Sequence, residues 1–516
     1  MTGAESILDA ALRSGVDTCF ANPGTTEMGL VAALDTTPDV RTVLALFEGV
    51  CTGMADGYGR MLDRPAMTLL HLGVGLGNGI ANLHNARRAF SPIVNLIGDH
   101  PIAHIPYNAP LTSDIATMAK PVSSTVHTVT SADDAGNDMA RAIAQSTTIP
   151  GGISTLILPS DIMCAETQAE FNLVEPATPS PIDENIVNAA RDTLEKGSNT
   201  AIIINGRALR EEGLTHAAKI AAKTDCALFS VCFPARLDRG AGLPAIQRLP
   251  YFPEQVLERL APYKKLILVG GYTEPVSFFK YDNIPSSLVP QGCTTITLAS
   301  HEQDGIVALE QLCDAVNANH TEVPMQELAI PDAPTGPLNR KTIAPAIAAA
   351  LPENAIIADE GGMNSAPIYF ATQSGHAHSS LFLTGGGIGY GMPSAAGAAI
   401  ACPYRPVLNL QSDGAGMYTL QTLWTMARES LDVTTVVFSN RKYKILQIEL
   451  ERAGIDKPGP IADSLTELSN PDISWCDLAK GMGVPASRPE TAEDLSAALT
   501  RSFSEEGPSL IELEID

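Results

Sequence analysis

The chain has no CxxC pair, no cluster of lysine and arginine, and no run of about 18 consecutive apolar residues. Its nine cysteines are scattered and odd in number, which speaks against a disulfide framework and for reduced thiols in the cytoplasm. Basic residues are few: 33 Lys and Arg stand against 58 Asp and Glu, a net charge of −25. Such a surface repels phosphate backbones and anionic lipid, so neither nucleic acid nor a membrane is an expected partner. An anion that does bind must be held locally, by a helix N-terminus or a bridging metal. The opening stretch MTGAESILDAALRSGVD carries acids early and lacks a long apolar core, and does not read as a signal peptide.

What is present is an α/β composition. Hydrophobic residues make up 45% of 516, a length that suggests about three domains. Two stretches rich in proline and polar residues read as linkers, EPATPSPIDEN (175–185) and VPMQELAIPDAPTGPLNRK (323–341). They divide the chain into 1–174, 185–322 and 341–516. Each piece alternates helical spacing, as in ESILDAALRSG, with short apolar runs stopped by turn residues. Such runs are PAMTLLHLG, PIVNLIGDH, GISTLILPS, TAIIINGRA, KKLILVGGY, NAIIADEGG, PVLNLQSDG and VTTVVFSNR. That alternation predicts parallel sheets with helices on both faces. GMADGYGRMLDRPAMTLLHLG near the start and GMPSAAGAAIACPYRPVLNLQSDG near the end share an order: small-residue helix, Arg-Pro, apolar strand, glycine. The match fits first and last domains of one topology.

Four places could carry chemistry. Asp413 follows the strand VLNL, a helix is expected over 416–430, and the strand TTVVFS then delivers Asn440, 27 positions on. In a βαβ unit both strands end on one edge of the sheet, so the two side chains should converge there. An acid, an amide and a backbone carbonyl are oxygen ligands of the kind Mg²⁺ takes; a plain strand-end turn explains the same residues equally well. TGGGIGYGMPSAAG (384–397) fails as a dinucleotide fingerprint on its glycine spacing, as does LGVGLGNG (72–79). Both read as close helix packing on small residues, the first also as a loop offering Ile388 and backbone carbonyls to a flat ligand. Glu48, in LALFEGVCTGMADGYGR, and His71, in LLHLGVG, are on pattern alone a capping acid and a structural histidine.

Together these segments resemble the thiamine diphosphate (ThDP) enzymes of the acetolactate synthase, pyruvate oxidase and benzoylformate decarboxylase family. The family signature GDG, about 25 residues, then NN, reads here Ser412-Asp413-Gly414 and Ser439-Asn440, each half departing by one residue. FANPGTTEM, FEGVCTGMADGYGR, LGNGIANLHNARR and LTGGGIGYGMPSAAGAA match other family segments in order. The resemblance runs nearly end to end and implies the three-domain ThDP fold, each domain a parallel sheet flanked by helices: 1–174 binding the pyrimidine, 185–322 central, and 341–516 binding diphosphate and Mg²⁺. It implies Mg²⁺ on Asp413, Asn440 and the carbonyl of Lys442. Glu48 would bond N1′ of the aminopyrimidine, Gly386 the 4′-amino group, and Ile388 would wedge the cofactor into its bent shape. The partner of the Glu48 carboxylate is then expected to be cofactor, not protein. The remaining cofactor contacts implied are Pro23, Gly24, Gly362, Met363, Gly414, Ala415, Tyr443, Lys444 and Ile445. His71 and Thr25 fall where benzoylformate decarboxylase has a pocket histidine and a serine facing the substrate carboxylate. The second pocket histidine of that enzyme has no counterpart; GGYTEPVSFFKYDN offers Phe278, Phe279 and Tyr281.

The expected activity is a ThDP- and Mg²⁺-dependent lyase or carboligase acting on a small 2-oxo acid, acetolactate synthase large-subunit-like. The alternative is an aryl 2-oxo acid decarboxylase of the benzoylformate type. FAD is not expected, because the central segment is compact and shows no flavin pattern. Without a basic patch for CoA phosphates, a hydroxyacyl-CoA lyase is disfavoured. Retention of Glu48, Asp413 and Asn440 argues against a non-catalytic paralogue. In the family the glutamate and the diphosphate site come from different subunits, so a homodimer or homotetramer is expected.

Overall fold

The structure, a computed structural model, describes residues 1–195, 199–271, 274–455 and 457–515. Eighteen strands form three sheets. The first holds β1 (Thr18–Asn22), β2 (Arg41–Leu44), β3 (Ala66–Leu70), β4 (Ile93–Asp99), β5 (Thr125–Thr128) and β6 (Ile153–Pro159), in the order β2-β1-β3-β4-β6-β5. Then come β7 (Thr200–Ile204), β8 (Ala227–Ser230), β9 (Arg236–Arg239), β10 (Gln247–Arg248), β11 (Lys265–Gly271) and β12 (Thr294–Ser300). All of these but β9 make the second sheet, β10-β8-β7-β11-β12. The third holds β13 (Ile356–Glu360), β14 (His378–Phe382), β15 (Val407–Ser412), β16 (Val433–Ser439), β17 (Ala486–Ser487) and β18 (Ser509–Glu514), in the order β17-β18-β16-β15-β13-β14-β9.

Among the described residues, every pairing between these strands is parallel except one: β9 crosses from the central segment and joins β14 antiparallel, on the register Arg239↔His378 to Arg236↔Leu381. The expected parallel sheets therefore carry one antiparallel edge. Strands such as β4, β6, β7 and β16 are buried along their whole length. Helices cover both faces, which is why these strands read as unbroken apolar runs and not as alternation. The Tyr272 that ends KKLILVGGY lies outside the described residues. Helix starts follow local chemistry: Thr2 Oγ1 accepts the Glu5 N–H at 3.2 Å and Glu5 Oε2 accepts the Thr2 N–H at 2.7 Å, a reciprocal cap before Gly3–Arg13. The stretches 175–185 and 323–341 form no helix or strand until Glu184 and Arg340 begin the next helices.

The first and third sheets share one topology. With β9 set aside, β14-β13-β15-β16-β18-β17 repeats β2-β1-β3-β4-β6-β5 strand for strand. The two segments that resemble each other in sequence occupy equivalent places and pack together. The helix Glu48–Leu62 lies between β2 and β3, and the helix Gly391–Ala401 between β14 and β15. Their glycines permit backbone contact: a Cβ on Gly57 would collide with the Ser394 carbonyl, and one on Gly397 with the Met54 carbonyl. Val50, Met54 and Tyr58 on one helix and Met392, Ala395 and Ala398 on the other belong to one apolar core that joins both sheets. Arg60 locks the crossing. Its guanidinium pairs with Asp56 at 2.6 Å and donates to the Phe382 carbonyl at 2.6 Å and the Tyr390 hydroxyl at 2.9 Å, all buried.

Candidate active site

In a parallel sheet, ligands sit beyond the carboxyl ends of the strands, where strand order reverses. In the first sheet that point lies between β1 and β3. The loop after β1 carries Pro23, Gly24 and Thr25, β3 ends at His71, and β2 is followed by Glu48. Glu48 is the first residue of its helix and only 8% exposed. The helix N-terminus offsets the cost of burying its charge. Asn78 Nδ2 donates to Glu48 Oε2 at 3.0 Å. Oε1 faces Gly75, where a Cβ would stand 3.1 Å away. One oxygen thus has a protein partner, which corrects the expectation that the partner would be cofactor alone.

His71 Nδ1 lies 2.8 Å from Glu27 Oε2, and Thr26 Oγ1 lies 3.5 Å from the same nitrogen. Glu27 is buried, and its Oε2 also accepts the Gly24 N–H at 2.7 Å while Oε1 accepts the Thr26 hydroxyl at 2.7 Å. A carboxylate accepting at every contact leaves the hydrogen on Nδ1 of His71, so Nε2 is the atom free for other work. Thr25 is exposed beside this group, and the hydroxyl that reaches the histidine is Thr26's. Asp99, at the end of β4, has its carboxyl raised by burial and by nearby Glu27, against the lowering effect of the His100 N–H.

The equivalent point of the third sheet lies between β13 and β15. Gly362, at φ +60°, and half-exposed Met363 follow β13. Asp413 follows β15 and is 2% exposed. Its Oδ2 accepts the Arg441 N–H at 2.6 Å and its Oδ1 the Gly414 N–H at 2.8 Å. Burial raises its carboxyl despite these backbone donors. Asn440 Oδ1 accepts the Lys442 N–H at 3.1 Å. Asp413 and the Asn440–Lys442 turn therefore meet as their spacing implied, with Arg441 at φ +58° turning the chain. Ala415 is buried beside them, and the Tyr443 ring closes on Gly414. Lys444 and Ile445 open the helix Lys444–Arg452.

The helix expected over 416–430 is instead two pieces, Asp413–Gly416 and Thr422–Arg428. The Trp475 ring would clash with any Cβ on Gly416, and Thr419 Oγ1 donates to the Gly389 carbonyl at 3.0 Å, drawing the chain out of helix between them.

Gly386, at φ +76°, and Ile388 lie on the loop after β14. The Leu72–Ala89 helix grips this loop: Asn85 exchanges hydrogen bonds with the Gly387 N–H (3.1 Å) and carbonyl (2.7 Å), and Asn82 donates to the Gly389 carbonyl at 3.1 Å. From below, buried Glu360 accepts the N–H groups of Gly389, Tyr390 and Gly391 at 2.8, 3.1 and 2.8 Å. Burial raises the Glu360 carboxyl, and these donors with Gln411 oppose the rise. Sequence reading missed Glu27, Asn78, Asn85 and Glu360. Glu27 had a signal, an acid three residues after Gly24 at a turn; Glu360 had the same strand-end position that singled out Asp413. The two asparagines had none, because helix partners depend on packing.

The third-sheet edge suits a hard divalent cation. Among the described residues, no group of three or more His, Cys, Asp or Glu is arranged to hold a metal ion. A cation here would rest on one carboxylate, one amide oxygen and backbone oxygens, completed by phosphate, a donor set Mg²⁺ accepts. A positive charge would also offset the burial that raises Asp413.

Known proteins share this chain's sequence pattern and fold. The pattern of the thiamine pyrophosphate enzyme N-terminal TPP binding domain matches residues 1–119, and that of the C-terminal TPP binding domain matches 362–513. A Mycobacterium tuberculosis protein named as a candidate acetolactate synthase large subunit, IlvX, is 46% identical, covering 100% of this chain and 99% of its own length. Benzoylformate decarboxylase of Pseudomonas aeruginosa is 27% identical over 97% of this chain and 96% of its own. Among solved structures, the thiamine diphosphate-dependent 4-hydroxybenzoylformate decarboxylase of Rhodococcus jostii RHA1 superposes with a TM-score of 0.86 at 23% identity, covering 100% of this chain and 99% of its own, a likeness of fold.

Proposed function

The chain belongs to the thiamine pyrophosphate enzymes, and we propose that it is a ThDP- and Mg²⁺-dependent lyase or carboligase acting on a 2-oxo acid. The observation that carries this reading is the meeting of buried Asp413 with the Asn440–Lys442 turn. Asp413, Asn440 and the Lys442 carbonyl would hold Mg²⁺, and through it the diphosphate. Gly362, Met363, Gly414, Ala415, Tyr443, Lys444 and Ile445 would surround that end. Glu48, Gly386 and Ile388, with Pro23 and Gly24, would hold the aminopyrimidine end.

When bound, the thiazolium ring supplies a carbon nucleophile and an electron sink for decarboxylation. The chain's own residues govern protons and water. With Oε2 held by Asn78, Glu48 offers Oε1 to a ring nitrogen. Gly386 would offer a carbonyl to an amino group, and Ile388 would support the contact by its bulk. Glu27 fixes the tautomer of His71, so that Nε2 can give or take a proton at the substrate carbonyl oxygen. Thr25, exposed on the same rim, would meet the substrate carboxylate. Assembly as a homodimer or homotetramer belongs to the same proposal.

A second reading, the benzoylformate-type decarboxylase, is favoured by the His71–Glu27 pair. The test supplies ThDP and Mg²⁺ with pyruvate, 2-oxobutyrate and benzoylformate in turn and reads both CO₂ and ligated product. Acetolactate from pyruvate supports the synthase-like reading and benzaldehyde from benzoylformate the second. No CO₂ from any 2-oxo acid, with ThDP bound, overturns both.

A further inference from the structure

Aromatic residues are scarce in this chain, at 5%, yet one contiguous group of rings stands beside the candidate site. Phe278 and Phe279 touch edge to face at 4.7 Å, and Phe278 continues to Tyr251 at 5.8 Å and Phe233 at 6.4 Å. Phe278 and Phe279 come from the irregular segment after β11, which closes on itself through the Ser277 N–H to the Ser286 carbonyl (2.9 Å) and the Leu288 N–H to the Pro275 carbonyl (2.8 Å). The segment is tied to the third sheet's side of the molecule. Tyr281 donates its hydroxyl to Glu449 at 3.0 Å, and the Arg452 guanidinium lies 4.3 Å from the Tyr281 ring centre.

This anchoring brings the Phe278 ring over Gly386: a Cβ there would lie 3.0 Å from Phe278 Cζ. Phe278 and Phe279 nevertheless remain 49% exposed each. Two adjacent phenyl rings left half in water beside a reaction centre are the mark of a ligand wall. The cations on this wall are already engaged. Lys280 Nζ donates to the Tyr281 and Ile284 carbonyls at 2.8 and 2.7 Å, and Arg452 pairs with Glu254 at 2.6 Å. With these cations engaged, the wall offers rings to whatever it meets.

We propose that Phe278 and Phe279 receive the R group of the 2-oxo acid, and that this R group is aryl or a large uncharged apolar group. The assignment rests on the ThDP reading of Gly386, whose carbonyl would hold the cofactor's amino group near Phe278. A methyl group, as in pyruvate, would leave both rings wet; a phenyl group would cover them and gain the apolar burial.

The experiment separates the wall from the reaction. Calorimetry on the full-length protein loaded with ThDP and Mg²⁺ compares mandelate with lactate, 2-hydroxy acids that share a head and differ in R. Mandelate should bind about tenfold tighter or better, and Phe278→Ala should shrink that preference to about twofold or less, with Phe279→Ala in between. In turnover, the ratio of kcat/KM for benzoylformate to that for pyruvate should fall about tenfold in Phe278→Ala. Unchanged ThDP affinity serves as the control for folding; should Phe278→Ala lose it, Phe278→Leu, which keeps apolar bulk, decides by retaining or losing the preference. Equal binding of mandelate and lactate by the unaltered protein, or a preference indifferent to both phenylalanines, overturns the proposal. Failure of every 2-oxo acid to release CO₂ would sink the reaction reading instead, while mandelate against lactate still judges the wall.

Discussion

The first and third sheets repeat one strand order and present their reversal points at corresponding ends, but the two rims are furnished differently. Behind β1, β2 and β3 the first rim carries Glu27, Glu48 and His71, side chains oriented by other side chains and by the Gly24 N–H. Behind β13, β14 and β15 the third rim carries Gly362, the Gly386–Ile388 loop and Asp413, with Asn440 after β16; Asp413 and Asn440 are oriented by backbone N–H donors, and the loop is held by Asn85 and Glu360. Imidazole and carboxyl groups set among side chains are suited to moving protons; oxygen donors fixed to backbone are suited to staying still. One frame thus supports a rim for chemistry and a rim for anchorage, so substitutions should affect rate on the first and affinity on the third.

The largest test is Asp413→Ala, which should abolish Mg²⁺-dependent ThDP binding in calorimetry; undiminished affinity would erase the anchoring rim. Glu48→Gln should leave ThDP affinity within a few-fold while exchange of the cofactor's C2 proton, followed by NMR, slows about 10²–10⁴-fold. If affinity collapsed along with rate, the division between rims would fail. Replacing His71 with Ala should cost about 10²-fold in a substrate step at nearly constant cofactor affinity. Glu27→Gln should reproduce much of that loss and alter the pH profile, because an amide can present a donor to Nδ1 and permit the other tautomer. Gly397→Val, at the helix crossing, belongs to neither rim and should cost about 1–3 kcal/mol or more of stability by denaturant titration.

A separate effect concerns acid. His378 at the start of β14 is pushed down to about 3, first by burial and then by Arg239. The corresponding strand β2 starts with exposed Arg41. Since the unfolded chain protonates near the usual histidine value and the folded one does not, this residue removes stability as pH falls from about 6.5 toward 3, by up to about 1.4 kcal/mol per unit. Melting temperatures of His378→Gln should be less sensitive over that window; an identical slope would clear the histidine.

Much of the frame was legible because buried parallel strands must be apolar throughout. PIVNLIGDH, TAIIINGRA and VTTVVFSNR announced β4, β7 and β16 for that reason. The recurrence of a small-residue helix, Arg-Pro and strand pointed to two sheets of one topology. The transfer of β9 to the far sheet was not legible, since RLDR looks like any short edge strand until its neighbour is known. The break at Met417–Gln421 was hidden for a similar reason: its causes, Trp475 and the Gly389 carbonyl, lie far away in sequence. At the site, residues at strand ends could be read because topology places them. Asn78 and Asn85 act through contacts that no local pattern encodes.

The bare-backbone crossing at Gly57 and Gly397 works as a gauge block. It fixes the spacing of the first and third sheets inside one chain. Misplacing reacting groups by about 1 Å can cost about 10²-fold in rate, so a single methyl in that seam could silence the protein without touching a residue that meets the coenzyme. Chemistry at the edges, by contrast, can be retooled while the spacing stays in register.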